Sequence, residues 1–157
     1  MRLTVYSDYA LRLMMYLGLR RGGNLSTIDE VAAAYHISKA HLMKITHELG
    51  QKGLIETIRG RQGGMRLARE LSAIRVGDIV RACEPDFALV PCMEPEGGKG
   101  CVILPACVLK RALATAAAAF LDVLDGYTLE DLVGPGLALR QLLGIENSDA
   151  SERAVDA

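Results

Sequence analysis

The sequence has no run of apolar residues that approaches the roughly 20 residues of a membrane-spanning helix. Its first residues lack an apolar core followed by a small-residue cleavage site, so we expect no signal peptide. It contains no phosphate-binding loop, no catalytic-triad pattern and no Cys-x-x-Cys pair, which excludes dithiol redox catalysis and gives no reason to predict an enzyme. These absences favour a cytoplasmic, non-enzymatic protein without a membrane partner, in a compartment where cysteines stay reduced.

The two halves of the chain carry opposite net charges, although the total is only −1. Residues 1–82 contain 13 Lys and Arg against 7 Asp and Glu, a net charge of +6, whereas residues 83–157 contain 5 against 12, a net charge of −7. A basic half joined to an acidic half suggests a polyanionic partner for the first half alone. Charge by itself is equally compatible with a chance imbalance on a solvated surface.

Three segments of the basic half have helical periodicity. Ser7 is the expected N-cap of the first helix, Thr27 forms a capping box with Glu30 at the start of the second, and Ser38 is the expected N-cap of the third. The third helix has an apolar inner face made of Leu42, Ile45, Thr46 and Leu49. Its other side is polar and basic, with Lys39, His41, Lys44 and His47.

A short hairpin is predicted to follow these helices. Residues 54–58 form a β-type run, residues 59–64 form a glycine-rich turn that carries Arg59 and Arg61, and residues 65–67 return as a second strand. Three helices followed by a basic hairpin predict a winged helix-turn-helix, with the third helix in the major groove of double-stranded DNA. The arginines suit contact with phosphates or the minor groove. The alternative is an ordinary three-helix bundle with solvated lysines.

Three cysteines lie in a segment rich in proline and glycine, residues 90–107, which cannot be a regular helix or strand for most of its length. Such a segment can fold back and direct Cys92, Cys101 and Cys107 at one centre, and thiolates are ligands of iron–sulfur clusters and of zinc. Spacings of eight and five intervening residues are loose for a structural zinc site. Cys83 falls on a predicted helix over residues 76–83, where we expect a small buried side chain rather than a ligand.

The longest predicted helix covers residues 107–125. Residues 112–121 are apolar almost all round, with Thr115 as the exception, and a helix that is apolar on every side must be buried on every side. In a chain of this size a second subunit is the obvious cover, although a core helix with high alanine propensity is the alternative. The residues expected to share one face are Leu109, Leu113, Ala116, Ala117, Phe120 and Leu124.

After this helix, Thr128 with Asp131 is predicted to start a short helix, and residues 137–143 predict a last turn or two. The final residues are polar and lack a periodic apolar face. The sequence therefore predicts a mainly α protein with four parts: a winged helix-turn-helix DNA-binding domain (1–82), a cysteine loop (83–108), a long dimerisation helix with short C-terminal helices (109–145) and a disordered tail (146–157).

The order of these motifs resembles the IscR/NsrR group of iron–sulfur winged-helix transcription regulators, over residues 1–145. The resemblance is carried by residues 1–4 with 8–12, the wing 59–67, residues 73–80, the cysteine loop and residues 124–132. Within the group, the nitric-oxide-sensing repressors are most similar, in Glu84-Pro85, Pro105-Ala106-Cys107 with Leu109-Lys110, and Tyr127-Thr128-Leu129. The IscR-type pattern has a histidine ligand three residues after the last cysteine, where this chain has Lys110.

The resemblance implies that Cys92, Cys101 and Cys107 bind a [4Fe–4S] cluster. It further implies a fourth ligand from the partner subunit of a homodimer, at the position of Asp8. A carboxylate is a weaker ligand than a thiolate, so this iron is expected to be the labile one. The other interpretation of Asp8 is an acidic residue favoured by the dipole at a helix N-terminus.

The resemblance also implies a repressor that binds a palindromic operator and responds to nitric oxide as its signal. The residues expected at the DNA are Ser38, Lys39, His41, Lys44, Arg59, Arg61, Gln62, Gly63 and Gly64. An iron-responsive repressor of the RirA type has three cysteines at similar spacing and is the nearest alternative. A cluster carrier or electron-transfer protein, for which the basic half would be incidental, is a second alternative.

Overall fold

The computed structural model describes residues 2–20 and 24–145, and the predicted tail at 146–157 lies outside them. The helices are α1 (Val5–Leu19), α2 (Ile28–Tyr35), α3 (Lys39–Gln51), α4 (Val76–Cys83), α5 (Val108–Asp125), α6 (Leu129–Val133) and α7 (Gly136–Leu143). Strands β1 (Ile55–Ile58) and β2 (Gly64–Leu67) form an antiparallel pair, and short 3₁₀ turns lie at Leu71–Ala73, Pro91–Met93 and Leu104–Ala106. No helix within the described residues is long and apolar enough to cross a membrane.

Helix α1 begins three residues before the point predicted from the sequence. Its N-cap is Thr4, whose hydroxyl accepts a hydrogen bond from the Ser7 amide at 3.3 Å, so the prediction of Ser7 as the cap was wrong. The Ser7 side chain is fully buried and its hydroxyl donates to the carboxylate of Glu84 instead. A partner that lies 77 residues away in the chain therefore decides where α1 starts.

The other predicted helix starts are confirmed. Thr27 with Glu30 and Thr128 with Asp131 both form complete capping boxes, in which each threonine and acidic side chain caps the other's backbone amide. Ser38 occupies the N-cap position of α3, but its side chain makes no capping hydrogen bond.

The helix-turn-helix consists of α2 and α3, joined by a turn at which His36 adopts a left-handed conformation with φ of 55°. The predicted inner face of α3 is buried, and it packs with α1 and α2 in the core. Helices α6 and α7 also pack against α1, and Leu129 of α6 is fully buried in the same core. The core is therefore shared between the basic half and the C-terminal helices.

The wing is the β1–β2 hairpin, with Ile55 opposite Leu67 and Ile58 opposite Gly64. Met65 exchanges two backbone hydrogen bonds with Ser26, of 2.9 and 2.8 Å, which ties the hairpin to the segment before α2. A Cβ on Gly64 would lie 2.8 Å from the Ser26 carbonyl oxygen, so this close approach requires glycine.

Helix α5 is joined to the rest of the molecule at its C-terminal end. Arg81 of α4 binds the Asp125 carboxylate with both terminal nitrogens, one of them at 2.7 Å, and this hydrogen bonding holds the pKa of Asp125 below its usual range. Gly77 lies against the same carboxylate, and the Val76 amide donates to the Tyr127 carbonyl at 2.9 Å. We call this set of contacts the α4–α5 joint, and it fixes the orientation of α5 relative to α4.

Most of α5 is exposed in the single chain, and Ala117 is its one buried residue. Leu113, Phe120 and Leu124 are half-buried, as expected for the predicted inner face. Leu109 and Ala116 were predicted on that face but are exposed, Leu109 by 62%. The face predicted by periodicity is therefore only partly covered, because α5 packs chiefly against α4 and the turn at Pro91–Met93.

We expect Gly77→Ala to be less stable than Gly50→Ala by about 1–3 kcal/mol, because the added Cβ would overlap the Asp125 carboxylate and displace it from its paired position with Arg81. Gly50→Ala in α3 is the matched control. Its Cβ would meet nothing closer than the Ile55 carbonyl oxygen at 3.7 Å, so this change should be neutral or stabilise by up to about 1 kcal/mol. Urea denaturation followed by circular dichroism measures both, and equal stabilities of the two variants would contradict the importance of the joint.

Candidate metal centre and nucleic-acid interface

The three predicted ligand cysteines lie at successive turns of the cysteine loop. Cys92 is half-buried in the turn Pro91–Met93, Cys101 is exposed, and Cys107 is the half-buried N-cap of α5. The Cys107 sulfur accepts a hydrogen bond from the Lys110 amide at 3.4 Å. Hydrogen bonds to sulfur of this kind accompany thiolate ligands and tune the iron that they bind.

Glycines allow the loop to fold back on Cys92. The backbone of Gly97 passes so close to Pro91 that a Cβ there would overlap the proline carbonyl, and Gly98, with φ of 84°, lies against the Cys92 side chain. The chain then advances by hydrogen-bonded turns, from Gly98 to Cys101, from Cys101 to Leu104 and from Leu104 to Cys107. The loop thus links all three cysteines through consecutive backbone turns.

The chemistry of these donors fits an iron–sulfur cluster, because the loop offers three free thiols, each at least partly exposed. Within residues 2–20 and 24–145, however, no three Cys, His, Asp or Glu side chains are close enough together to hold one metal ion. The single chain supplies the donors without gathering them into a metal-binding group.

Asp8 lies in the first turn of α1 and is half-exposed. Its carboxylate accepts a hydrogen bond from Arg12 Nε at 3.0 Å, and the Arg12 guanidinium lies 5.8 Å from the centre of the Tyr35 ring. Asp8 does not group with the cysteines of its own chain. Its predicted role depends on a partner subunit, so the single chain leaves that role a prediction.

Cys83 is half-buried at the end of α4. Burial, together with the nearby carboxylates of Glu48 and Glu84, raises the pKa of its thiol to about 12. A thiol that stays protonated is a poor metal ligand. This environment supports the expectation that Cys83 packs in the core.

Glu84, the residue after α4, ties the start of the cysteine loop to the start of α1. Its carboxylate accepts hydrogen bonds from the Thr4 amide at 2.8 Å, the Thr4 hydroxyl at 3.0 Å and the Ser7 hydroxyl. Burial alone would raise the pKa of Glu84, but these hydrogen bonds outweigh it and hold the pKa below its usual range. Sequence analysis noted Glu84 only as part of a resemblance, because its partners are about 80 residues away.

The predicted DNA-contacting side chains of α3 are exposed, but three of them already have neighbours. Lys39 Nζ lies 2.9 Å from Asp29, and the His41 ring lies 5.8 Å from the ring of Tyr9. Lys44 Nζ is 5.6 Å from the centre of the Tyr6 ring. The Ser38 hydroxyl makes no capping bond and remains available to a partner.

At the wing, Arg59, Arg61 and Gln62 are exposed. Among the described residues, neither arginine lies within 4.0 Å of a carboxylate, whereas Arg66 in β2 pairs with Glu56 at 2.9 Å. A Cβ on Gly63 would overlap the Ile58 carbonyl oxygen, and Gly64 backs onto Ser26, so both glycines serve to close the turn. The tip therefore presents two arginines without a competing carboxylate.

Sequence analysis missed Met43, which is 56% exposed on α3 between the predicted contact residues. The helical periodicity that buries Leu42 and Ile45 also places position 43 outside the apolar face, so a signal was present. It also missed the contacts of Tyr6 and Tyr9 with α3, for which the sequence contains no signal because they cross between helices.

Comparison with known proteins places this geometry in a family. The model of the Rrf2 family, described as an iron-dependent transcriptional regulator, matches residues 3–135. The chain is 48% identical over 149 residues to the HTH-type transcriptional regulator NsrR of Shouchella clausii (strain KSM-K16), which covers 95% of this chain and 99% of that protein. It is 50% identical over 133 residues to the regulator of the same name from Bacillus subtilis (strain 168), covering 85% and 90%.

The solved structure of CymR (YrzC), the global cysteine regulator of B. subtilis, is similar with a TM-score of 0.68 at 31% identity, over 85% of this chain and 97% of that chain. These relatives confirm the winged-helix fold, the resemblance to NsrR and the prediction of a regulator rather than an enzyme. The chain belongs to the Rrf2 family of transcriptional regulators.

Proposed function

We propose that the protein is a homodimeric repressor that binds a palindromic operator in double-stranded DNA and senses nitric oxide through a [4Fe–4S] cluster. The observation that carries the proposal is the position of the cysteine loop. Its three free thiols lie in the segment that joins α4 to α5, and Glu84 at the start of that segment binds the start of α1. A change in the loop therefore has a direct path to the DNA-binding helices.

In this proposal Cys92, Cys101 and Cys107 hold the cluster, with Asp8 of the partner subunit as fourth ligand. The bound group would supply an iron with a weak carboxylate ligand, to which nitric oxide can bind. Within its own chain the Asp8 carboxylate is paired with Arg12, whose guanidinium lies 5.8 Å from the centre of the Tyr35 ring. This pair would compete with ligation by Asp8, so the signal would act by shifting the population between a paired and a ligating Asp8.

The proposed dimer uses the uncovered side of α5. Leu109, Ala112, Ala116, Ala119 and Val123 are all exposed and recur at spacings of three and four residues, which makes one apolar stripe along the helix. The alanines let two helices approach closely, and a second copy of the chain offers the same stripe. To bind a palindromic operator, an isologous pair built on this stripe has to present its two α3 helices to half-sites about one turn of DNA apart.

The proposed DNA interface consists of α3 and the wing. Ser38, Lys39, His41, Lys44, Arg59, Arg61 and Gln62 are exposed there, and the cations among them supply the salt-dependent affinity. His41 and Lys39 are the proposed base-edge contacts, whereas the two wing arginines contact the backbone or minor groove.

A second candidate is favoured by the description of the matching family model as iron-dependent. In that case the same cysteines would report the supply of iron, and loss of the cluster under iron limitation would release the DNA. The two candidates share every residue and differ in the signal, so they are separated by the reagent that dissociates the complex.

We expect Cys101→Ala to lack visible absorption after anaerobic purification and to bind operator at least about 10-fold more weakly, because one of three thiolate ligands is gone. Cys83→Ala, which changes a cysteine outside the ligand set, should keep both properties. Absorption spectra and fluorescence anisotropy on labelled operator measure the two effects. Tight, cluster-dependent DNA binding by Cys101→Ala would reject the ligand assignment. Release of wild-type protein by a chelator but not by nitric oxide would favour the iron-responsive candidate.

Arg61→Gln should make the negative slope of log K against log salt shallower by about 0.9, the contribution of one phosphate contact. Arg66→Gln is the matched control, since Arg66 lies in the same hairpin but is engaged with Glu56, and its slope should be unchanged. Anisotropy titrations between low and moderate salt give both slopes. Identical slopes for Arg61→Gln and wild type would show that Arg61 at the wing tip does not contact a phosphate.

Ala116→Arg should produce a monomer, because it places a long charged side chain in the middle of the apolar stripe of α5. Ala118→Arg makes the same change at an exposed position outside the stripe and should leave the dimer intact. Sedimentation velocity at micromolar concentration measures the mass of each variant. A dimer of Ala116→Arg as stable as that of Ala118→Arg would show that the stripe is not the interface.

A further inference from the structure

We propose that Tyr6 and Tyr9 of α1 are positioning residues for DNA recognition, because their rings form a wall against which Lys44 and His41 of α3 are set. This inference deepens the proposed DNA interface and rests on it. It assigns the role to two residues that touch no DNA in the proposal and that lie in a different helix from the recognition residues.

The wall is built from matching helical spacings. Tyr6 and Tyr9 are three residues apart on α1, and His41 and Lys44 are three residues apart on α3, so each pair lies on one face of its helix. The Tyr9 and His41 rings are 5.8 Å apart and tilted by 50°, and Lys44 Nζ lies 5.6 Å from the centre of the Tyr6 ring. Helices α1 and α3 pack against each other, which holds the two contacts in register.

The contacts act on side chains that would otherwise have wide freedom. His41 and Lys44 are exposed, and an exposed lysine in particular loses much rotamer entropy when it is immobilised at a partner. An aromatic face beside each of them restricts that freedom before DNA arrives, through aromatic packing for His41 and cation–π attraction for Lys44. Glu48 lies 3.9 Å from Lys44, so the lysine is held between a carboxylate and a ring.

The rings, rather than the hydroxyl groups, carry the effect. The Tyr6 hydroxyl is buried and has no hydrogen-bond partner among the described residues, and burial together with Glu48 raises its pKa. Phenylalanine should therefore replace Tyr6 with little loss, and at position 9 phenylalanine keeps the ring that faces His41, whereas an aliphatic side chain does not. Both tyrosines are partly buried and also pack against the core, so an effect on folding must be separated from an effect on recognition.

The position of the wall gives it a second consequence. Tyr9 follows Asp8 directly, and Tyr6 lies between Thr4 and Ser7, the two residues that bind Glu84. A shift in the first turn of α1 would therefore reach His41 and Lys44 without any change inside α3. The two tyrosines thus connect the first turn of α1, which binds Glu84 at the start of the cysteine loop, to the side chains proposed to contact DNA.

The test compares Tyr9→Leu, Tyr9→Phe, His41→Ala and the double variant Tyr9→Leu/His41→Ala, with anisotropy on operator and on non-operator DNA of equal length. We expect Tyr9→Leu and His41→Ala each to weaken operator binding by about 5- to 20-fold, with less than about a 2-fold change on non-operator DNA. The double variant should lose no more than the worse single variant, because both changes remove one coupled unit. Tyr9→Phe should bind within about 2-fold of wild type, and Tyr127→Leu, at an exposed tyrosine beyond α5, should be unchanged.

The outcomes separate the inference from the proposed function. If His41→Ala leaves operator binding intact, His41 does not recognise DNA, and the proposed interface fails at that residue together with the role of Tyr9. If His41→Ala weakens binding but Tyr9→Leu does not, or the two losses multiply, the positioning role is wrong while the interface stands. Urea midpoints are measured for every variant. If Tyr9→Leu does not fold, Tyr9→Met takes its place with the same expectations, because the flexible methionine side chain fills irregular gaps without supplying an aromatic ring.

Discussion

The carboxylate of Glu84 is the constraint on which the rest of this structure depends. It accepts three hydrogen bonds from Thr4 and Ser7 and so sets the first residue of α1, the helix around which the core is built. Because it follows α4 directly, it also sets where the cysteine loop begins. A carboxylate with this many donors stays ionised despite partial burial, as its lowered pKa indicates. One charged group thereby couples the segment that carries the thiols to the helix that carries Asp8.

Helix α5 and the cysteine loop are held in place by different kinds of contact, the first by a charged side-chain pair and the second by backbone hydrogen bonds. At the α4–α5 joint the Arg81 guanidinium binds Asp125 with two nitrogens, and Gly77 removes the side chain that would block it. Bidentate pairs of this kind fix geometry as well as distance. The cysteine loop is held instead by backbone turns and glycines with positive φ, at Gly98 and Gly100. The joint is thus held by charged side chains in a defined geometry, whereas the loop is held by its own backbone and contains no regular helix or strand longer than a 3₁₀ turn.

Much of the fold was predictable from the sequence because local signals set it. Capping boxes at Thr27 and Thr128 and the apolar periodicity of α3 placed those helices correctly. The start of α1 was not predictable, because the Ser7 hydroxyl binds Glu84 instead of capping the helix. The covered side of α5 was not predictable either, because periodicity identifies an apolar face but not the element that packs on it. The candidate site divides in the same way. Three thiols in one loop are visible in the sequence, but the contacts of Tyr6 and Tyr9 arise only where α1 meets α3, and the domain limits stay a prediction.

The weak pairing of Asp8 with Arg12 suits the exchangeable ligand role that the proposed sensor assigns to this carboxylate. Both side chains are nearly half exposed, and an i, i+4 pair in such a setting contributes only about 0.3–0.5 kcal/mol. Giving up that pair costs little, so Asp8 can move to another partner when one is offered. Returning to it gains equally little, so the pair by itself does not trap Asp8 in its own chain. Because the Asp8–Arg12 pair contributes so little, the position of Asp8 depends mainly on how strongly the proposed cluster binds its carboxylate. A buried bidentate pair in the same place would have kept Asp8 from binding a weak competitor.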